Sequence, residues 1–197
     1  MPLSRYRKGE LVLGANRLAA YEPGIRSLID ANLRRLYDVQ ADGAPVYSPR
    51  EVDALRAHVP DDVLARALDG TLVVEAEADQ VHGVGGFVSG SGGYGEIICA
   101  FVRPELHGSR VFTRMLVEAA TQAPGEGIHT LEGFALRDSR ILDVYRRLGC
   151  RDLGEARLPV NGLQIAHQHF EMDIHALRQK AAHYQDAAPR EGSERPF

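Results

Sequence analysis

GEIICAFVRPELHGSRVFTRML, residues 95–116, decides how the rest of the chain is read. Ile97 to Val102 is a continuous apolar run, which predicts a strand buried on both faces. Pro104 marks a turn and Gly108 sits in a short polar loop. An amphipathic helix is then expected over about residues 109–123, ending at Pro124-Gly125. A strand that enters a helix through a tight polar loop leaves the first helical N–H groups without acceptors in their own helix. Together with the helix dipole, those groups form a ready site for an anion such as a phosphate.

On the N-terminal side of this stretch, residues 71–76 (TLVVEA) and 81–89 (VHGVGGFVS) read as strands. They are separated by a turn at Asp79-Gln80 and followed by a glycine-rich loop over residues 90–95, so with Ile97–Val102 they form a three-stranded meander. Glycine inside the second of these strands predicts a bulge, or the close approach of a backbone or ligand. Further upstream, residues 10–20 hold a first strand. Ile25, Leu28, Ile29, Leu33 and Leu36 recur at helical spacing after Pro23-Gly24. Residues 38–47 read as a loop. Ser48-Pro49-Arg50-Glu51 is a capping box with proline at the first helical position. It predicts a helix ending near His58, before Pro60, and a further short helix from Asp61 to Asp69-Gly70.

On the C-terminal side, a strand is expected over residues 128–135 and a short helix over residues 138–148, with Gly149 just past its end. Residues 151–160 and 163–174 flank Asn161-Gly162, the strongest short-range hairpin signal. The order predicts an α/β fold of three layers, a mixed and mostly antiparallel twisted sheet with helices on both faces. Residues 1–9 read as a flexible N-terminus, 10–176 as one domain, and 177–197 as a polar tail, partly disordered.

Composition fits one soluble globular domain, with 197 residues, 44% apolar and 25% charged. A net charge of −4 gives no electrostatic reason to expect a nucleic-acid or membrane partner. No apolar run approaches the ~18 residues of a membrane span, and the N-terminus lacks the apolar segment of a signal peptide. Cys99 and Cys150 read as buried reduced thiols, consistent with a cytoplasmic location.

Three stretches in this order resemble the GNAT superfamily of acyl-CoA-dependent N-acyltransferases. The first is Val102-x-Pro104 with Gly108, Val111 and Met115-Leu116. The second is Asp138-Ser139-Arg140 leading to Val144-Tyr145-Arg146-Arg147-Leu148-Gly149-Cys150. The third is the strand pair at 71–88. The likeness spans roughly residues 10–175 and implies the GNAT-like fold. It also implies transfer of an acyl group, acetyl in the first instance, from acetyl-CoA or another acyl-CoA to the amine of a small-molecule acceptor. A homodimer is left open.

The family's pyrophosphate loop carries Gln or Arg, two residues, Gly, one residue, then Gly or Ala. Here His107, Gly108, Ser109, Arg110, Val111 and Phe112 occupy that loop, with His107 in place of Gln or Arg, and Arg110 and Phe112 where small residues are usual. The loop could bind acyl-CoA in modified form, bind a non-standard acyl donor, or have lost binding; a binding module without turnover is the alternative to an enzyme.

By the same resemblance, a backbone N–H from Cys99 to Val102 polarises the thioester carbonyl, and Ala100, Phe101 and Val102 contact the donor. Tyr145 matches the general acid that protonates the leaving thiolate. Asp138 and Ser139 contact the donor's pantetheine arm, though a helix cap is the plainer role for Asp138. Glu96 and Glu132 are the candidates for the base that deprotonates the amine, with His129 behind them. His167 and His169 share one strand face; without a third ligand at recognisable spacing they read as ordinary cleft histidines, and no metal is expected.

Overall fold

The computed structural model describes residues 10–13, 18–77, 80–109, 111–137 and 139–186. The chain begins with β1 (Glu10–Leu13), α1 (Leu18–Arg34), a small hairpin of β2 (Gln40–Ala41) and β3 (Ala44–Pro45), and α2 (Pro49–Ala67). The meander follows as β4 (Gly70–Glu77), β5 (Gln80–Ser89) and β6 (Tyr94–Val102). Then come α3 (Val111–Gln122), β7 (Thr130–Leu136), α4 (Ser139–Leu148), β8 (Arg151–Val160), β9 (Leu163–Asp173) and α5 (Ile174–Asp186). Seven strands form one sheet in the order β1-β4-β5-β6-β7-β9-β8. Every pairing in it is antiparallel except β6 with β7.

The sheet divides two apolar cores. On one face α1 and α2 bury Ile25, Leu28, Ile29, Leu33, Val52 and Leu55 against Leu72, Val74 and Val84. On the other, α3, α4 and α5 bury Val111, Met115, Leu148 and Leu177 against Val73, Phe87 and Leu131. The α/β fold with a mixed sheet and helices on both faces is therefore observed as expected.

Local chemistry explains the element ends. Ser48 Oγ accepts from the Glu51 amide and the Glu51 carboxylate accepts from the Ser48 amide, the reciprocal box that starts α2. Asn161 and Gly162 both have positive φ, 46° and 79°, as the two-residue turn between β8 and β9 requires.

Glycines let β5 pack closely. A Cβ on Gly83 would lie 2.7 Å from Met115 Sδ and Val111 Cγ1, and one on Gly86 would lie 2.7 Å from Thr71 O. The expectation of a close approach at this strand thus holds for α3 over Gly83 and β4 beside Gly86.

Several expectations need correction. First, the strand expected over residues 10–20 ends at Leu13, and the helix expected after Pro23-Gly24 begins at Leu18 and runs through that pair. Second, α2 does not stop before Pro60. It continues to Ala67 because Pro60, Val63, Leu64 and Ala67 extend its buried face, which outweighs the backbone bond that proline removes. Asp61 accordingly caps nothing; it pairs with Arg26 at 2.5 Å. Third, residues 38–47 contain the β2–β3 hairpin around Asp42-Gly43, both at positive φ. Fourth, the segment from 177 is helical to Asp186, because Leu177 is buried against α3. Fifth, β6 is not buried on both faces: Ile97, Ile98, Ala100 and Phe101 are only half-buried, because they border a cleft. Among the described residues, no helix is long and apolar enough to cross a membrane.

Candidate active site

The cleft originates in the sheet itself. β6 and β7 pair at only three positions, Tyr94–Thr130, Gly95–Leu131 and Glu96–Glu132. Immediately afterwards the β5–β6 ladder shifts register between Gly86 and Phe87, opposite Cys99 and Ile97, so Ile98 is the extra residue of a bulge. A bulge bends its strand and increases local twist. Beyond Glu96 the two strands diverge, and alternate backbone groups of Ile98–Val102 face the gap unpaired with β7.

The ring of Tyr145 reaches this gap. It stacks on Phe170 with centroids 4.2 Å apart and meets Phe112 edge-on at 5.9 Å. Its position is fixed by the end of α4, where the Gly149 amide donates to Arg146 O and the Cys150 amide to Tyr145 O, with Gly149 at φ 86°. Those two bonds form a Schellman closure, which answers the Leu-Gly-Cys signature in the sequence. The Tyr145 side chain is buried, and its hydroxyl has no hydrogen-bond partner among the described residues. Burial holds its pKa above the usual tyrosine value, with a smaller contribution from Cys150 and Cys99, so the phenol keeps its proton.

Two cavities meet there. A narrow one of about 20 Å³ lies on the α3 side, bordered by Gly85, Phe112, Met115 and Leu116. A larger one of about 370 Å³ lies on the α1–α2 side. Ile97, Cys99, Ala100 and Tyr145 line both, so the cleft crosses the sheet. The larger volume falls within the ~300–1,000 Å³ of small-molecule sites.

The expected residues divide into those the cleft gathers and those it does not. Ala100, Phe101 and Glu96 line the larger cavity. Val102 is buried, and its carbonyl accepts from Asn32 Nδ2 at 3.0 Å and from His107 at 3.0 Å. Glu96 is paired with Arg66 at 2.8 Å. Glu132 is instead held at 2.5 Å by His169, whose ring stacks on Phe134. Neither Glu132 nor His129 lines the cavities. Val111 and Phe112 pack inward beneath α3. Arg110 and Asp138 lie outside the described residues, as does the side chain of Ser139.

The loop before α3 is largely bonded to itself. The His107 amide donates to Pro104 O, the Ser109 amide to Leu106 O, and the Val111 amide to Ser109 Oγ at 3.3 Å. Gly108 sits at φ 83°. The Ser109 hydroxyl thus satisfies the first amide of α3. The His107 ring is held by two hydrogen bonds. Its Nε2 donates to Val102 O, which fixes the tautomer, and its Nδ1 accepts from Arg35 Nη1 at 2.7 Å.

Three cavity groups were not anticipated in these roles: His167, Arg66 and Arg35. His167 is buried, and its Nδ1 lies 2.9 Å from Ile165 O. A carbonyl can only accept, so Nδ1 carries the proton and Nε2 keeps its lone pair. Burial also lowers the His167 pKa, so the ring is neutral at neutral pH. Alternation with Ile165, which is buried on β9, is the signal that could have marked His167 as inward. Arg35 and Arg66 gave no such signal, because His107 and Glu96, which they meet in the cavity, are distant in sequence.

No family model matches the sequence, and no curated protein matches it either. Solved structures do match the fold. One is a GCN5-related N-acetyltransferase from Rhodopseudomonas palustris, 15% identical, with a TM-score of 0.65 over 85% of this chain and 96% of that one. Another is an aminoglycoside 6′-acetyltransferase type Ii, 15% identical, TM-score 0.58, covering 84% and 97% of the two chains. A third is the PaiA N-acetyltransferase from Thermoplasma acidophilum in complex with coenzyme A, 12% identical, TM-score 0.57, covering 83% and 99%. The chain carries the fold of the GNAT acetyltransferases.

Proposed function

We propose that the protein transfers an acyl group, acetyl in the first instance, from an acyl-CoA to the amine of a small-molecule acceptor. The observation that carries this reading is the parting of β6 and β7 beyond Glu96, with a protonated tyrosine hydroxyl, unbonded among the described residues, where the two cavities meet. The narrow cavity beside α3 suits the donor's thioester end, and the α1–α2 cavity suits the acceptor. Likeness to acetyltransferases, one of them crystallised with coenzyme A, supports the same assignment.

In the reaction, the amine nitrogen attacks the thioester carbonyl carbon and the carbon–sulfur bond breaks. Unpaired β6 amides facing the gap stabilise the charge that develops on the carbonyl oxygen. The amine's proton passes to a base. Of the two candidates in the cavity, Glu96 is committed to Arg66, whereas His167 Nε2 presents a neutral lone pair; we assign the base to His167. The leaving thiolate takes the Tyr145 proton, which solvent restores. Cys99 lines the cleft but is no nucleophile: burial pushes its pKa up to about 12 and keeps it a thiol. Transfer is thus direct, without an acyl-cysteine.

The self-bonded loop at 107–111 favours a second reading, an acyl-CoA-binding module without turnover. Calorimetric titration with acetyl-CoA and CoA, followed by CoA release over a broad amine panel, separates the readings. Binding with release supports transfer, and binding without release supports the module. Absence of binding below about millimolar would refute both.

A further inference from the structure

The larger cavity has charged walls, and its charges are not evenly paired. Arg66 sits between two carboxylates, 2.8 Å from Glu96 and 3.9 Å from Asp62. Arg35, lining the same cavity, has no carboxylate partner among the described residues. Its Nη1 is held by the neutral lone pair of His107 Nδ1, and His107 is itself anchored on Val102 O. Asn32, one turn earlier on α1, bonds the same carbonyl. The guanidinium is therefore held by the His107 ring, and no carboxylate among the described residues compensates its charge.

The two ends of the cavity differ accordingly. Arg35 follows α1 and stands beside the loop after β6, near Phe101. Arg66, Asp62 and Glu96 stand at the opposite ends of α2 and β6. Glu96 and Phe101 lie five strand steps apart, roughly 16 Å at ~3.3 Å per residue. Leu33, Leu36, Leu55 and Val160 line the cavity with apolar surface.

We infer that the acceptor carries an anionic group, a carboxylate, which docks on Arg35 while its apolar body lies along α1 and α2 and its amine reaches the Tyr145 junction. This rests on the acyl-transfer reading and narrows its substrate class to amino-acid-like amines. The shared chemistry, an anionic oxygen group on a guanidinium, could also come from a phosphate of the donor. Arg35 opens into the α1–α2 cavity; His107, which holds it, lines that cavity and Phe112 lines the narrow one, but Gly108 and Ser109 line neither, which favours the acceptor.

The test uses product-type probes, N-acetyl derivatives of alanine, leucine and phenylalanine, and their counterparts lacking the carboxylate. Each is titrated calorimetrically, with and without CoA, into wild type, Arg35→Gln and Arg35→Lys. Wild type should bind at least one carboxylate probe about tenfold tighter than its neutral counterpart. Arg35→Gln should abolish that preference, Arg35→Lys should retain part of it, and CoA affinity should stay within about twofold. Arg35 is half-exposed, so both variants should fold, as thermal melts would verify.

Equal binding of charged and neutral probes, or no carboxylate binding up to about 10 mM, overturns the inference. So does a fall of about fivefold or more in CoA affinity in Arg35→Gln, which would give the guanidinium to the donor's phosphate. If wild type fails to bind CoA but still prefers the carboxylates, the acyl-transfer reading fails while the anion site stands.

Discussion

Replacing Tyr145 by Phe removes one oxygen atom and little else. Both ring contacts, the 4.2 Å stack on Phe170 and the 5.9 Å edge contact with Phe112, survive the change. The hydroxyl has no hydrogen-bond partner among the described residues, so no partner is stranded. The usual cost of breaking a buried hydrogen bond, about 1–3 kcal/mol, should therefore not appear, and urea unfolding should place the variant within about 0.5 kcal/mol of wild type. Donor affinity, measured by calorimetry with CoA, should change by less than about threefold.

Turnover should behave differently. Without the acid, the thiolate leaves unprotonated. A positioned general acid contributes about 10²–10⁴-fold, which is about 2.7–5.4 kcal/mol of barrier at 1.36 kcal/mol per decade. CoA release under donor saturation should fall by that factor while KM for the acceptor stays nearly constant. A rate within about threefold of wild type would remove Tyr145 from the chemistry. A stability loss above about 2 kcal/mol would show instead that the hydroxyl is a structural bond.

Gly83→Ala should destabilise the fold by about 1–3 kcal/mol in urea, because the new Cβ meets Val111 and Met115 at 2.7 Å. Gly85→Ala should be neutral or stabilising, since its nearest neighbours are 3.8 Å and 3.9 Å away; equal losses at both sites would contradict the packing described. His167 and His82 have folded pKa values lowered by burial, so the unfolded chain takes up protons near the ordinary 6.5 before the folded chain does. Stability should be fully present above pH 6.5 and should fall as pH drops through the lower folded values, by up to about 1.4 kcal/mol per pH unit for each group; His167→Gln should flatten that slope. With His167 as base, kcat/KM should decline on the acid side with an inflection below 6.5, and this limb should vanish in His167→Gln; its persistence there would move the role to another group.

The sequence alone determined the main strands of the sheet, most of the helices and their order, because their signals are local. The apolar spacing from Ile25 to Leu36, the Ser48–Glu51 box, the Asn161-Gly162 turn and the Leu148-Gly149 helix stop each depend on neighbours within a few residues. Tyr145 was legible for the same reason, since its helix end is a short motif. Pro60 misled, because a local breaker rule cannot weigh the buried face that α2 shares with the sheet.

What only the tertiary structure decided are relations between distant segments. The bulge at Ile98 parts β6 from β7 and so makes the cleft, yet nothing in IICAFV announces a bulge. Glu96 and Glu132 look equivalent as acidic residues in strands, but one lines the cavity and the other is tied to His169. The stretch at 95–116 announced a helix start facing an anion. Folding engages the amides of Leu106, His107, Ser109 and Val111 internally and turns His107 towards Arg35, 72 residues away in sequence. Hydrogen-bond partners and uncompensated charge are properties of assembled surfaces, so no window of sequence contains them.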